Sequence, residues 1–233
     1  MKLLSDNQQA QSKLREVLRS TYVDAALEKR QPTSKELATL HHPYIDAMLE
    51  EILRCSTTAA ITSRLAMVDT DVLGVRIPKG TDVNFLSYNG FVAPPVGSVE
   101  EHTRSPSSQA AKDKTGVWEV PDIRVFKPER WLKSTGKESE VEFSKNAGPT
   151  LPFGAGIRGC FGMLYVFLHK QIRFTNHFAG RKLAYIELRM LVVFIIWNFE
   201  LLPAPEVLSS YLAIDKVTHQ PQKCYLRLKK ADW

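Results

Sequence analysis

Residues 153–162, which read Phe-Gly-Ala-Gly-Ile-Arg-Gly-Cys-Phe-Gly, carry the groups that a metal-bound flat cofactor needs. Three glycines, Gly154, Gly156 and Gly159, precede Cys160. Glycine adopts backbone dihedrals closed to other residues and lets the backbone approach a ligand closely. A cysteine in such a loop can accept backbone N–H bonds on its sulfur, which favour the thiolate over the thiol. We therefore expect Cys160 to bind a metal ion.

The neighbours of Cys160 extend this interpretation. Arg158 can meet an acidic group of the same ligand with its forked donors. Phe153 can pack on the ligand or shield the sulfur from water, and a helix after Gly162 would direct its positive end at the thiolate. The alternative is a glycine-rich loop that holds a structural cysteine.

The segment resembles the F-x-x-G-x-R-x-C-x-G loop of the cytochrome P-450 family, with every fixed position filled. The resemblance implies that Cys160 is the axial thiolate of haem b and that Arg158 pairs with a haem propionate. An axial thiolate pushes electron density onto iron and favours O–O cleavage. The implied cofactor-binding residues are Phe153, Gly154, Gly156, Arg158, Cys160 and Gly162.

Two further motifs support the resemblance. Glu51 and Arg54 form an E-x-x-R pair on one face of a helix, and Phe126 to Trp131 resembles the family's F-x-P-E-R-F/W segment. By resemblance, Arg130 joins Glu51 and Arg54 in a buried charge cluster that locks the loop supporting the cysteine. Burying such a cluster is costly, which points to a role beyond stability. Taken alone, an E-x-x-R pair is more often solvated.

Arg64 follows the E-x-x-R helix, where the family often has an arginine or histidine on the second propionate. A surface arginine is the alternative. Cys55 and Cys224 have no motif around them and are expected to be packing residues. Three widely spaced cysteines fit neither a disulfide framework nor a zinc site, and they indicate a reducing compartment.

The elements that must position these residues are mainly helical at first. Ser5 with Gln8, and Thr33 with Glu36, have capping-box spacing, and Pro43 suits the first position of a helix. A buried stripe then follows. Its members are Ile45, Met48, Leu49, Ile52 and Leu53.

Residues 57–90 predict short strands, because turn residues divide a segment rich in Thr, Val and Ala. Residues 90–120 predict a long polar surface loop. A helix is expected over 181–197, whose apolar run 191–197 indicates burial, and strands close the chain. The fold class is mainly α with small antiparallel β-sheets, the C-terminal portion of the cytochrome P-450 fold. The expected segments are helices 1–56, the β region 57–90, the meander loop 91–150, the cysteine loop 151–162, an insertion 163–180 and the final part 181–233.

The insertion is defined by a break in the family pattern, C-x-G-x-x-L-A-x-x-E-L-R. Removing residues 163–180 joins CFG to RKLAYIELR without a gap. A retained intron, translated through, is one explanation, since codons for this segment allow the signals of a short fungal intron. A genuine insertion that forms a lid or an extended helix is the other. Either would interrupt the helix that follows the cysteine.

The family's long central helix, with its A/G-G-x-D/E-T-T proton relay, has no counterpart, and Met1 falls near the expected end of that helix. We therefore assign no catalytic residue. We expect the chain alone to hold haem weakly and to hydroxylate nothing. The leading function is oxidation of a small lipophilic substrate with O2 and electrons from an NADPH-dependent reductase, in fungal secondary metabolism. The alternative is a non-catalytic, truncated fragment or pseudogene product.

Composition adds little to these expectations. The net charge of +6 comes from scattered lysines and arginines, so no nucleic-acid partner is expected. We see neither a signal peptide nor a membrane span. The family typically resides on the cytosolic face of the endoplasmic reticulum, and without an anchor a cytoplasmic location is the expectation for this chain.

Overall fold

The computed structural model describes residues 1–56, 58–59, 61–86, 99–118, 121–137, 140–154, 159, 179–216 and 218–232. Within these ranges helices supply the core and short strands lie around it. The helices are α1 (Lys2–Asp6), α2 (Gln8–Thr21), α3 (Val23–Leu27), α4 (Ser34–Thr39), α5 (Pro43–Cys55), α6 (Pro106–Thr115) and α7 (Ala179–Asn198). Two 3-10 turns, Glu101–Thr103 and Pro128–Trp131, lie between α5 and α7.

The core forms where α2, α5 and α7 pack together, because each helix presents an apolar stripe. Leu14 and Leu18 of α2 and Ile196 of α7 are fully buried. Of the predicted α5 stripe, Leu53 is half-buried and the others are buried. Helix α7 spans the predicted range, but Leu191 is 58% exposed, so only one side of its apolar run is buried. No helix in the described ranges is long and apolar enough to cross a membrane.

A buried glutamine ties the N-terminal helices to the last sheet. The side-chain amide of Gln11 donates to the carbonyl oxygens of Leu4 (3.0 Å) and Leu201 (2.9 Å), and its oxygen accepts from the Leu201 N–H (2.8 Å). A fully paired buried amide fixes the relative position of the segments it joins. Gln11 therefore sets where the strand after α7 meets α2.

Among the described residues the strands form five two-stranded antiparallel sheets. The pairs are β1 (Ile61–Leu65) with β4 (Asp82–Leu86), β2 (Thr70–Val72) with β3 (Val75–Ile77), β5 (Leu132–Ser134) with β6 (Val141–Phe143), β7 (Phe199–Leu202) with β10 (Arg227–Lys230), and β8 (Ala213–Asp215) with β9 (His219–Pro221). The β2–β3 turn has positive φ at Leu73 and Gly74, the conformation that suits a tight hairpin. Most strand residues are exposed.

Two local predictions are corrected and one is confirmed. Thr33 and Glu36 form the complete capping box of α4. Ser5 does not cap a helix, because it lies inside α1 and its hydroxyl donates to the Lys2 carbonyl oxygen; Asn7 precedes α2 instead. The predicted loop 90–120 contains α6, which begins at Pro106 after Ser105, whose hydroxyl accepts from the Ser108 N–H.

Candidate functional site

Helix α5 presents a carboxylate, Glu51, that is completely buried and accepts hydrogen bonds from four residues. The guanidinium of Arg54, one turn later, donates hydrogen bonds to both carboxylate oxygens of Glu51, with N–O distances of 2.7 and 2.8 Å. The remaining donors come from the segment around the second 3-10 turn. They are the backbone N–H of Lys127 (2.8 Å), the side chain of Arg130 (3.1 Å) and the indole N–H of Trp131 (2.9 Å). The structure thus brings Glu51, Arg54 and Arg130 together.

Both arginines of the charge cluster also bind backbone carbonyl oxygens of the meander loop. Arg54 donates to Ile123 (2.8 Å) and Val125 (3.1 Å), and Arg130 donates to Asp122 (2.7 Å) and Val125 (2.8 Å). Burial by itself lowers the pKa of Arg54, but the hydrogen bond and charge of Glu51 raise it above its ordinary value. Arg54 therefore stays charged, and the two arginines together fix the path of residues 122–125.

Trp118 connects this cluster to the cysteine loop. Its ring lies within 5.6 Å of the Arg54 guanidinium carbon and within 5.3 Å of that of Arg130, which are cation–π distances. It also packs edge-on against Trp131, with ring centroids 5.1 Å apart. The Trp118 indole N–H donates to the carbonyl oxygen of Pro149 (2.7 Å), two residues before the cysteine loop.

Gly148 is held against the face of the same indole. A Cβ added at Gly148 would lie 2.5 Å from three ring atoms of Trp118, which is closer than real Cβ atoms come. The ring cannot retreat freely because two guanidinium groups and Trp131 pack around it. Glycine is therefore required where the chain passes the tryptophan and turns towards the cysteine loop.

The cysteine loop itself is described at its beginning. Phe153 is half-buried, and the Gly154 N–H donates to the Leu151 carbonyl oxygen (3.0 Å). Gly154 has φ +67°, a conformation that side chains rarely adopt. Four predicted haem-site residues lie outside the described residues. These are Gly156, Arg158, Cys160 and Gly162.

Arg64 is exposed on β1, opposite Val83 of β4, and donates to the carbonyl oxygen of Ser63 (2.8 Å). The described residues do not bring it to the charge cluster through any hydrogen bond or ion pair. The contact of Arg64 with a propionate stays a prediction. Its exposed position also fits the alternative, a surface arginine.

A second group of contacts joins α5 to α7. The hydroxyl of Tyr185 donates to the carboxylate of Glu50 (2.7 Å), and Arg181 donates to the Tyr185 oxygen (3.3 Å). The Phe153 and Tyr185 ring centroids are 5.6 Å apart, and the Arg181 guanidinium lies 5.6 Å from the Phe153 ring. Adjacent residues of α5, Glu50 and Glu51, therefore bind partners on different faces of the helix.

The two cysteines within the described residues, Cys55 and Cys224, lie in different environments. Cys55 is half-buried at the end of α5, where burial and the nearby Glu51 charge raise the pKa of its thiol to about 12. A thiol with that pKa is protonated at neutral pH and is a poor metal ligand. Cys224 is exposed beside the last sheets, where it pairs with Ser209 in an isolated bridge.

Sequence reasoning missed Trp118, Gly148, Glu50 and Tyr185. A tryptophan in a polar segment was a usable signal for Trp118, because large aromatic residues are rarely left in solvent. Gly148 and Tyr185 carried no such signal, since their partners lie on segments that are distant in the chain. The indole N–H of Trp131 was also missed, although the residue belongs to a recognised motif.

Comparison with known proteins agrees with the family resemblance of the sequence motifs. The family model described as Cytochrome P450 matches residues 1–89 and 106–165. These ranges contain α1 to α5, β1 to β4, the charge cluster and Cys160. The match ends three residues after Gly162.

Curated fungal relatives match nearly the whole chain. Cytochrome P450 monooxygenase TRI13 of Fusarium sporotrichioides is 43% identical over 100% of this chain and 38% of its own length. Cytochrome P450 monooxygenase GME11363 of Pestalotiopsis microspora is 39% identical over 98% and 37%. The Hps1-dma1 cluster cytochrome P450 monooxygenase cyp3.1 of Dothistroma septosporum is 34% identical over 98% and 70%. The chain thus spans less than two fifths of the first two relatives.

Proposed function

Because this chain belongs to the cytochrome P450 family, we propose that it is the cysteine-bearing part of a haem-thiolate monooxygenase. The observation that carries the proposal is the linkage from the buried Glu51 through Trp118 to Pro149. This linkage fixes the backbone immediately before a loop whose sequence fills each fixed position of the family's cysteine motif. A rigid approach to a metal ligand is what preorganised metal binding needs.

The residues present fit a haem group in their chemistry. Cys160 would hold the iron through its thiolate, and Arg158 would bind a propionate with forked donors. Gly154, with its positive φ, turns the chain after Phe153 without a side chain in the way. When bound, haem supplies the redox chemistry by which O2 is activated. Phe153 would exclude water from the sulfur, and the charge cluster would keep the loop in place.

The proposed substrate is a small lipophilic molecule, and the proposed electron donor is an NADPH-dependent reductase. The relatives are named monooxygenases, which supports the enzyme over the non-catalytic fragment as the identity of the parent protein. The name of the Dothistroma relative contains the words Hps1-dma1 cluster, which agrees with a role in fungal secondary metabolism. Arg64 remains the proposed contact of the second propionate.

A cysteine series tests the proposal. The full chain and the variants Cys160→Ser, Cys55→Ser and Cys224→Ser are titrated with hemin in excess, and the reduced carbon-monoxide difference spectrum is recorded. We expect the full chain to bind hemin weakly and to give the spectrum of a thiolate-ligated haem. It should persist in the Cys55 and Cys224 variants and disappear in Cys160→Ser. An unchanged spectrum in Cys160→Ser would refute the assignment.

We further propose that residues 163–180 interrupt the family's cysteine helix. Two observations support this: the family match stops at residue 165, and the family-like pattern RKLAYIELR resumes at Arg181. Sequencing the mature transcript distinguishes the two origins. A message without these codons identifies a retained intron, whereas an abundant message that keeps them identifies a genuine insertion.

A further inference from the structure

Four residues from three segments meet between α5 and α7, and we name them the Tyr185 cluster: Glu50, Phe153, Arg181 and Tyr185. Arg181 and Tyr185 are one turn apart on α7, so their side chains leave the helix on the same face. The Arg181 guanidinium carbon lies 5.3 Å from the Tyr185 ring and 5.6 Å from the Phe153 ring. A single cation therefore contacts both aromatic rings.

The Tyr185 hydroxyl anchors this cluster to α5. It donates to Glu50, which is only 4% exposed, at 2.7 Å. Hydrogen bonds between a hydroxyl and a carboxylate in a water-poor site are among the stronger ones in proteins. Tyr185 also accepts from Arg181 at 3.3 Å. The chain of contacts thus runs from α5 through Tyr185 and Arg181 to Phe153.

Phe153 is the first residue of the cysteine motif and lies seven positions before Cys160. On the other side, Trp118 holds Pro149 through its indole N–H. The short stretch from Pro149 to Phe153 is therefore fixed at both ends, by groups that both trace back to α5. Glu51 supports the first attachment, and its neighbour Glu50 supports the second.

We propose that Tyr185, together with Arg181 and Glu50, is a positioning group that holds Phe153 and so fixes the geometry from which the cysteine loop starts. None of these three residues belongs to the loop or to the charge cluster. The proposal deepens the proposed function, because it concerns the same cysteine loop. Its physical content does not depend on haem, since the contacts exist between described side chains.

The test uses a pair of matched variants. Tyr185→Phe removes the hydroxyl that binds Glu50 and retains the ring against Phe153. Tyr211→Phe removes a hydroxyl that binds Asp6 at the same distance, 2.7 Å, away from the loop. Hydrogen–deuterium exchange of the full chain is followed at the Gly154 amide, which is bonded to Leu151. We expect exchange about tenfold faster in Tyr185→Phe, as loss of one bond to a charged group predicts.

Two further variants separate positioning from a local packing effect. Glu50→Gln should accelerate exchange at Gly154 as well, and its combination with Tyr185→Phe should add little, because both remove one interaction. With hemin present, Tyr185→Phe should lower the fraction of thiolate-type spectrum relative to Tyr211→Phe. Equal exchange at Gly154 in Tyr185→Phe, Tyr211→Phe and the unaltered chain would overturn the proposal.

The outcomes for the two proposals are independent. If Cys160→Ser leaves the spectrum unchanged, the proposed haem ligand is wrong, and the exchange data still decide whether Tyr185 positions the loop. If the exchange rate at Gly154 is unchanged in Tyr185→Phe while Cys160→Ser abolishes the spectrum, the ligand assignment stands and the positioning role is wrong.

Discussion

The surroundings of α5 and the hairpins that follow it use opposite means of holding their shape. Around α5, a fully buried carboxylate accepts from four residues, and Trp131 and Arg54 are closed to solvent. In the hairpins, Leu65, Val75 and Leu86 are 53%, 60% and 59% exposed, and each strand pairs with one partner among the residues that the structure describes. The difference shows that the segments next to α5 are fixed by satisfied buried charges, whereas the strands of the hairpins are joined by backbone pairing.

The largest effect is expected at the centre of the charge cluster. Glu51→Gln removes the negative charge between Arg54 and Arg130 and leaves two nearly buried cations without compensation. Breaking a buried pair in this way costs about 3–5 kcal/mol. Urea unfolding of the variant should show a loss of that size, or no folded protein.

Glu142→Gln, an exposed change on β6, serves as the control for Glu51→Gln and should alter the free energy of unfolding by less than about 0.5 kcal/mol. Similar losses in the two variants would remove the contrast between the regions.

The next effect concerns the approach to the cysteine loop. Gly148→Ala places a methyl group 2.5 Å from the Trp118 ring, which the surrounding arginines prevent from moving away. Overpacking of this kind costs about 1–3 kcal/mol. Gly136→Ala is a control for glycine loss, since nothing lies within 4 Å of its added Cβ, although its positive φ adds strain.

Two measurements check the Gly148 prediction: the midpoint of thermal unfolding and the tryptophan near-ultraviolet dichroism. A dichroism spectrum that is unchanged in Gly148→Ala would contradict the close contact with Trp118.

A smaller effect is expected from the pH dependence of Glu50. Burial raises the pKa of its carboxyl, and the Tyr185 hydrogen bond and the Arg181 and Lys145 charges oppose that shift only in part. The folded state therefore holds the proton to higher pH than the unfolded chain, so stability falls as pH rises from the ordinary value of 4.5 to the folded pKa. Glu50→Gln should flatten this part of the stability curve. Parallel curves for the two proteins would show that Glu50 does not titrate there.

The smallest effect is expected in the hairpins. Leu65→Thr keeps β propensity on an exposed strand position and should change the free energy of unfolding by less than about 0.5 kcal/mol. Chemical denaturation of the full chain measures it directly. A decrease of about 2 kcal/mol or more in the free energy of unfolding would mean that the β1–β4 hairpin contributes to the core.

Much of the α5 region could be predicted because its signals are local or belong to a motif. Pro43 marks the helix start, the capping box of Thr33 and Glu36 lies within four residues, and the spacing of Glu51 and Arg54 places both on one face. The Ser105–Pro106 start of α6 was equally local. A composition rich in Ser and Pro favours a loop there, but the Ser105 cap and the proline at the first helical position begin a helix.

The remaining contacts could not be predicted, because they depend on how distant segments pack. The sequence near Trp118 does not indicate that its ring will lie between Arg54 and Arg130 or that its N–H will reach Pro149. The pairing of Tyr185 with Glu50 likewise requires α5 and α7 to be placed first. Family motifs identify the residues around the cysteine, and only the structure identifies what holds them.

The environment of Cys55 has a practical consequence for chemical labelling. Burial and the nearby Glu51 charge raise the pKa of the Cys55 thiol to about 12, so the thiol is protonated at pH 7, and maleimides and oxidants should scarcely react with it. Cys224 is exposed and open to such reagents. In a Cys160→Ser background, a fluorescent probe should therefore attach at a single position near the C-terminal strands, which provides a site-specific reporter without further mutation.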